Sequence, residues 1–349
     1  MFSLSAKDFA TPVASVQMLA YNHGPYIERA VEGVLAQKTE FPFELVIGED
    51  CSTDATRQIA LAYEKKYPGS VRVVTSERNV GMHRNALRVQ EACRGRFLAF
   101  CEADDYWHDP SKLQTQVAFL ERHSDYGLAH CNYDSFEVST SRRRKDAIPC
   151  SSSLQDDQGY LEILLRKRRV LTLTVCVRSE LLRKVVSEQA ECSDEQWPMG
   201  DTQRWLEISR LTQLKYFPLS MATHNFLSES ASQSRDPAKA FRFTERAGQL
   251  ILHYLEKYPV PAAADQLIRA RICLEVLAAA HQAGDNSKAA FWMEELRNTS
   301  TRLPFEAYLY SLRTQGPLGE FAVKSVIWTL SRSRGIKERL FRVWQMAAG

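Results

Sequence analysis

Between Val13 and Phe100, short apolar runs suited to β-strands alternate with stretches whose apolar residues recur at helical spacing. The runs are Val13–Leu19, Phe43–Ile47, Val71–Thr75 and Phe97–Phe100, and the intervening stretches are Tyr26–Gln37, Ala55–Tyr67 and Asn85–Ala92. Continuous apolar strands need cover on both faces, and helices of ten or more residues between them supply it. This pattern predicts an α/β fold built from βαβ units around a mostly parallel sheet. A further helix is expected over Asp109–His123, with Asp109 as its cap and Pro110 in its first turn, followed by a strand over Gly127–Glu137.

The fourth run leads directly into acids: Phe97-Leu-Ala-Phe-Cys-Glu-Ala-Asp104-Asp105-Tyr-Trp107. A strand fixed in a core delivers its final residues to one defined point, and open α/β sheets bind ligands beyond the carboxyl ends of their strands. Adjacent carboxylates repel each other, and a divalent cation carrying a diphosphate relieves that repulsion. The second run ends in Gly48-Glu49-Asp50-Cys51-Ser52-Thr53-Asp54. Carboxylates at Glu49 and Asp50 can accept from a nucleobase N–H or from ribose hydroxyls, whereas Ser52, Thr53 and Asp54 serve equally well as helix caps. Tyr21-Asn22-His23 ends the first run, and Asn79-Val-Gly-Met-His-Arg84-Asn85 follows the third, with Arg84 placed to meet phosphate or sugar. Neither G-x-G-x-x-G nor G-x-x-x-x-G-K-[ST] occurs, which removes the main support for a dinucleotide or P-loop site.

Five segments in this order resemble family 2 glycosyltransferases of the GT-A fold, of the kind that builds bacterial surface polysaccharides. They are Val13–Asn22, Glu49–Asp54, Asn79–Asn85, Glu102–Trp107 and Asp109–Gln116, within a likeness covering residue 13 to about 137 and continuing more weakly to about 234. The resemblance implies inverting transfer of a sugar from a nucleoside-diphosphate donor, UDP in first place with GDP and dTDP open, to a hydroxyl of a growing polysaccharide or lipid-linked glycan. It assigns Tyr21 and Asp50 to the base, Asn22 and Glu49 to the same lip, and Arg84 and Asn85 to the donor site. It assigns Asp104 to ribose or metal and Asp105 to Mg²⁺ or Mn²⁺. Asp201, in Pro198-Met-Gly-Asp-Thr-Gln-Arg-Trp205, matches the acidic motif that supplies the general base, with Asp194 and Glu195 as substitutes; a plain N-cap is the other reading of Asp201. Glu49, Cys51 and Glu102 depart from the residues common in the family, and Thr223-His224-Asn225 stands where a Tyr-Arg pair and a later His are usual. His224 is expected on the diphosphate or metal, or as a structural histidine. Those departures keep open a catalytically silent nucleotide-binding or scaffold module, while a metal-dependent phosphohydrolase is the remaining use of such acids.

The chain has 349 residues, and 44% hydrophobic with 25% charged residues describes a globular protein. Two parts are expected: a glycosyltransferase domain over 1–235, with donor half 1–137 and acceptor half 138–235, and a helical region over 236–349. In the acceptor half, the expected elements are a polar mobile loop over Ser139–Gln158 containing the solvated run Arg142–Lys145, a helix over Tyr160–Lys167, a strand over Leu171–Val177 and a helix over Ser179–Gln189. Helices are expected over Ala262–Ala283 and Ser287–Arg297. Net charge of +3 gives no global field for nucleic acid, so no nucleic-acid partner is expected. Eight cysteines without C-x-x-C spacing suit a reducing cytoplasm. No signal peptide or spanning segment is expected, but the basic amphipathic stretch Phe321–Gly349 suits peripheral contact with a membrane.

Overall fold

In the computed structural model, residues 11–148, 154–192, 197, 199–227 and 236–299 are described. The chain divides into two compact units, Met1–Glu195 with Gly200–Leu227, and Gln196–Met199 with Ser228–Gly349. The division therefore falls some residues before the expected boundary at 235, and a four-residue segment before Gly200 groups with the second unit.

The first unit begins with the expected alternation: β1 (Ala14–Ala20), α1 (Gly24–Leu35), β2 (Phe43–Glu49), α2 (Thr56–Lys66), β3 (Val71–Val74), α3 (Met82–Ala92) and β4 (Phe97–Phe100). It continues through β5 (Tyr106–Trp107), α4 (Lys112–Arg122), β6 (Tyr126–Glu137), β7 (Arg142–Arg144), α5 (Gly159–Leu164), β8 (Val175–Arg178), α6 (Ser179–Cys192), α7 (Gly200–Leu211) and β9 (Gln213–Phe226). The strands form one mixed sheet in the order β3-β2-β1-β4-β8-β6-β9-β5, with β7 paired to β6. Pairing is parallel through β3-β2-β1-β4 and between β6 and β9, and antiparallel elsewhere.

Strands β1, β2 and β4 are buried on both faces, which is why they read as unbroken apolar runs. Leu45 and Ile47 join Val16, Met18, Ile27 and Val31 in one core, while the intervening Val46 joins Val89, Leu98, Leu182 and Trp205 in the other. Two glycines let helices approach closely. A Cβ on Gly33 of α1 would sit 2.5 Å from the Trp107 carbonyl oxygen, and one on Gly48 of β2 would sit 2.2 Å from Val89 Cγ2 on α3.

Several expectations are corrected. Asp109 accepts from the Ser111 amide and hydroxyl at 2.8 and 2.7 Å, forming a turn ahead of α4, which starts at Lys112 with Ser111 at its cap position. The presumed loop after Glu137 contains β7, because β6 runs on and offers Ser135–Glu137 as a pairing edge. Thr172–Thr174 forms a 3₁₀ turn where a strand was expected, leaving β8 only Val175–Arg178. The long β9 follows from no local signal, being recruited by parallel pairing along β6.

The second unit holds α8 (Pro237–Lys257), α9 (Ala262–Gln282) and α10 (Asn286–Thr299). Asp236 caps α8 through the Ala238 amide at 2.9 Å, with Pro237 at N1. Gly284 at φ +72° turns the chain between α9 and α10, as the Gly-Asp-Asn sequence implies. Among the described residues, no helix is long and apolar enough to cross a membrane. The basic stretch Phe321–Gly349 lies outside the described residues, as do Asp194 and Glu195.

Candidate active site

The parallel strands β1, β2 and β4 deliver their carboxyl ends to one edge of the sheet. At the end of β1, Tyr21 is 43% exposed and Asn22 adopts φ +56°, a left-handed conformation that asparagine tolerates better than most residues. Asn22 Oδ1 accepts from the Thr53 amide at 2.8 Å, and its own amide donates to Ser52 Oγ at 3.1 Å. Asp54 accepts from the Gly24 amide at 2.8 Å and the Thr56 amide at 2.9 Å. These bonds tie the β1 and β2 ends into one lip.

The two acids ending β2 have different surroundings. Glu49 is fully buried. One of its oxygens accepts from the Ser52 amide at 2.6 Å, and the other from Arg57 Nε at 2.5 Å. Although burial alone raises such a carboxyl, these bonds and the Arg57 charge hold it below its usual range. Both Glu49 oxygens face protein donors, so the side chain braces the turn after β2. Asp50 is also buried, and its oxygens accept from the Val80 and Gly81 amides at 2.8 and 2.9 Å. Asp50 thus fixes the segment leading into α3. Asn85 is buried as well, donating to the Gly48 carbonyl at 2.8 Å, whereas Arg84 next to it is exposed. Packing accounts for Asn85, and Arg84 remains the side chain of this pair that can reach a ligand.

Beyond β4, the chain turns through Cys101–Asp105 into β5. Trp107 anchors that turn from below: its indole N–H donates to the Leu173 carbonyl at 3.0 Å, and Lys112 Nζ stands 4.0 Å from its ring centroid. Arg29 covers the Tyr106 ring at 3.5 Å. Asp105 is 4% exposed. Its oxygens lie 3.1 and 3.0 Å from His224 Nδ1, and the Asn225 amide donates to it at 2.8 Å. The Asn225 side chain donates to the Asp104 carbonyl while its own Oδ1 is buried and unpartnered. Register places this contact, since Thr223 and Ala222 on β9 pair with Tyr106 and Trp107.

Charge in this cluster is concentrated. Burial pushes Asp105 up, opposed by His224. Burial would lower His224, but the hydrogen bond to Asp105 and the nearby acids outweigh it and raise it. Burial, followed by repulsion from Asp105, Asp104 and Asp201, pushes the Glu102 carboxyl up to about 8. Asp201 therefore shares the electrostatic neighbourhood of the β4 acids. It lies in the first turn of α7, where its oxygens accept from Thr172 Oγ1 at 3.1 Å and the Thr202 amide at 2.7 Å. Arg204, one helical turn on, is lowered by burial and raised by Asp201 and Glu102. His83 on α3 is lowered by burial and by Arg204, and its Cε1 would lie 3.1 Å from a Cβ on Gly200.

The structure thus gathers Glu102, Asp104, Asp105, Asp201 and His224 beside the lip formed by Tyr21, Asn22 and Asp50. Asn225, Thr172, Arg204 and His83 complete this arrangement and are not singled out by sequence reasoning. Arg204 could have been found three residues after Asp201, on the same helix face.

Hard oxygen and imidazole donors in Asp104, Asp105 and His224 suit Mg²⁺ or Mn²⁺ in chemical type, and the unpartnered Asn225 Oδ1 leaves a buried acceptor beside them. Among the described residues, no three His, Cys, Asp or Glu side chains converge closely enough to hold an ion by themselves. The donor set fits an ion that arrives with phosphate oxygens and keeps water in its shell, as Mg²⁺ does.

This arrangement is that of a GT-A glycosyltransferase domain: a mixed α/β sheet with paired acids beyond its central strand and a helical part following. Residues 15–186 match the glycosyl transferase family 2 model. A 46%-identical relative, an uncharacterised protein of Mycobacterium tuberculosis, aligns over 111 residues, 32% of each chain. A putative teichuronic acid biosynthesis glycosyltransferase of Bacillus subtilis is 38% identical over 32% of this chain and 44% of its own. The chain spans about a third to under a half of these curated relatives. The structure resembles a Staphylococcus aureus TarS fragment in complex with UDP-GlcNAc, with TM-score 0.54 and 18% identity over 96% of this chain and 88% of that one. It also resembles a mannosyltransferase of Pyrobaculum calidifontis in complex with GDP-Man and Mn²⁺, with TM-score 0.55 and 14% identity over 97% and 87%.

Proposed function

We propose that the protein transfers one sugar, with inversion, from a nucleoside-diphosphate donor to an acceptor hydroxyl in the assembly of a surface polysaccharide or lipid-linked glycan. The observation that carries this reading is the juxtaposition of the β4 acids with Asp201 and His224. The candidate base Asp201 acts electrostatically on Glu102 of this cluster, and the lip of Tyr21, Asn22 and Asp50 lies at the ends of the neighbouring parallel strands. The complexes with UDP-GlcNAc and GDP-Man in proteins of like fold support a nucleotide-sugar donor, with UDP the first candidate.

Tyr21, with its half-exposed ring, offers a face for the base, and Asp50 keeps the lip in shape through the Val80 and Gly81 amides. Arg84 meets the donor's phosphate or sugar from the exposed start of α3. Asp104, Asp105 and His224 would hold a divalent cation, which when bound supplies positive charge against the diphosphate as it leaves. Asp201 takes the proton of the attacking hydroxyl. Thr172 and the Thr202 amide orient that carboxylate, leaving lone pairs for the acceptor. A base so positioned contributes ~10²–10⁴-fold. Work on the cytoplasmic face of a membrane is consistent with a donor made in the cytoplasm.

A thermal-shift panel of UDP, GDP, dTDP and CMP, each with and without Mn²⁺, tests the donor site. A metal-dependent rise with one nucleotide that Asp105→Ala abolishes is expected. No shift with any nucleotide would leave the acids without their proposed ligand and make a silent scaffold the better reading.

A further inference from the structure

We infer that the acceptor is anionic, and that Arg142 and Arg144 of β7 form the surface that receives its phosphate or carboxylate groups; this rests on the glycosyl-transfer reading above. Strand register carries the inference. Arg144 pairs with Ser135 on β6, and Ser135 pairs with His224 on β9. Residues paired across neighbouring strands project from the same face, and two strand spacings amount to ~10 Å. Arg144 therefore emerges on the face from which His224 reaches Asp105. Arg142, two residues away on the strand, projects on that same face.

Burial and charge agree with this placement. All three β7 residues are exposed. Tyr133, on the same face of β6, sets its ring 6.4 Å from His224, edge to face. Burial raises the Tyr133 hydroxyl, and both Arg169 and Arg144 act on it in the opposite sense. Arg169 acts on His224 as well. Arg144 thus lies near the Tyr133 ring that packs against His224.

The intervening Arg143 points the other way and has a different duty. It donates to Asp134 at 2.6 and 3.0 Å, and Asp134 also accepts from Ser220 Oγ at 2.6 Å and the Asp146 amide at 3.1 Å. This clamp fastens the hairpin to the sheet, so Arg142 and Arg144 are held in orientation before a ligand arrives. Glu137, opposite Arg142 in register, is occupied by the turn through Thr140 Oγ1 at 2.7 Å. The acids collected around Asp105 would repel an anionic acceptor, and a cationic shelf next to them offsets that repulsion while fixing the direction of approach. Guanidinium groups suit either phosphate or carboxylate through paired N–H donors.

The test measures binding of three fluorescent probes to the full chain: a short oligo(glycerol phosphate), an oligogalacturonate and a neutral dextran oligomer of matched length. Binding of at least one anionic probe, weakening with salt, and none of dextran are expected. The double variant R142E/R144E should weaken the anionic probe roughly tenfold or more, the effect of about 1.4 kcal/mol, and should keep the nucleotide-induced thermal shift. The control K65E/K66E, on the exposed end of α2, should bind as the parent does. Equal anionic-probe affinity in R142E/R144E, or equal loss in K65E/K66E, would overturn the inference. Loss of probe binding in R142E/R144E together with no nucleotide shift in the parent protein would instead overturn the donor reading, and with it the role of this surface in acceptor binding.

Discussion

His224 Nδ1 lies 3.0 and 3.1 Å from the two carboxylate oxygens of Asp105, although 119 residues separate them in the chain. The contact joins the acid at the end of a central strand to a strand that only tertiary pairing brings beside it. Its protonation follows from the raised His224, whose charged form Asp105 favours. A group raised on folding stabilises the fold fully below its ordinary value, near 6.5 for histidine, and loses that contribution as pH rises through the raised value. With chelator present, melting temperature should fall across that window in the parent protein. The fall should be smaller in His224→Gln; identical pH profiles would show that the pair contributes no proton linkage.

Glu102 gives a second pH dependence of the same sign. Its carboxyl, pushed up to about 8, folds more readily protonated, so stability declines as pH rises from the ordinary carboxylate range through about 8. Glu102→Gln should melt higher than the parent at pH 9 and close to it at pH 4, as scanning calorimetry in chelator would show. A variant that melts lower at pH 9 would mean that the ionised carboxylate is needed.

Asp201→Asn should keep nucleotide binding and lose turnover by ~10²–10⁴-fold, the share of a positioned general base. Single-turnover transfer assays alongside thermal shifts separate the two effects. Transfer at the parent rate would remove Asp201 from the mechanism and return it to a helix-end role with Thr172 and Thr202.

Asp50→Ala leaves the Val80 and Gly81 amides without acceptors. Loss of such charge-assisted bonds from a buried carboxylate should cost about 1.5–3 kcal/mol in urea unfolding. Nucleotide affinity should fall along with it, because the lip loses its shape. Unchanged stability with lost affinity would instead assign Asp50 directly to the base.

Gly48→Ala should destabilise by about 1–3 kcal/mol, the range for overpacking a core. The added methyl would meet Val89 Cγ2 at 2.2 Å and Asn85 Oδ1 at 2.8 Å, and neither short side chain can swing clear. Denaturant midpoints measure this directly, and an unchanged midpoint would show that α3 can shift away from β2.

From Val13 to Phe100 the sequence by itself determines the strand and helix alternation, because apolar runs buried on both faces and helix periodicity are local properties. It equally places acids after β2 and β4, since a strand's end is legible wherever its apolar run stops. What those acids do depends on neighbours distant in the chain. Glu49 and Asp50 look alike in sequence, yet one meets Arg57 and the other the amides of Val80 and Gly81. The weak local signal of Gln213–Phe226 becomes a fourteen-residue strand because β6 offers it a parallel edge. The polar run Arg142–Arg144 becomes a strand on the same edge element, which turns two of its arginines toward the face of His224. Hydrogen bonding between strands is satisfied by whichever segment lies alongside, so pairing, register and the side on which a charge emerges are decided by the tertiary structure alone.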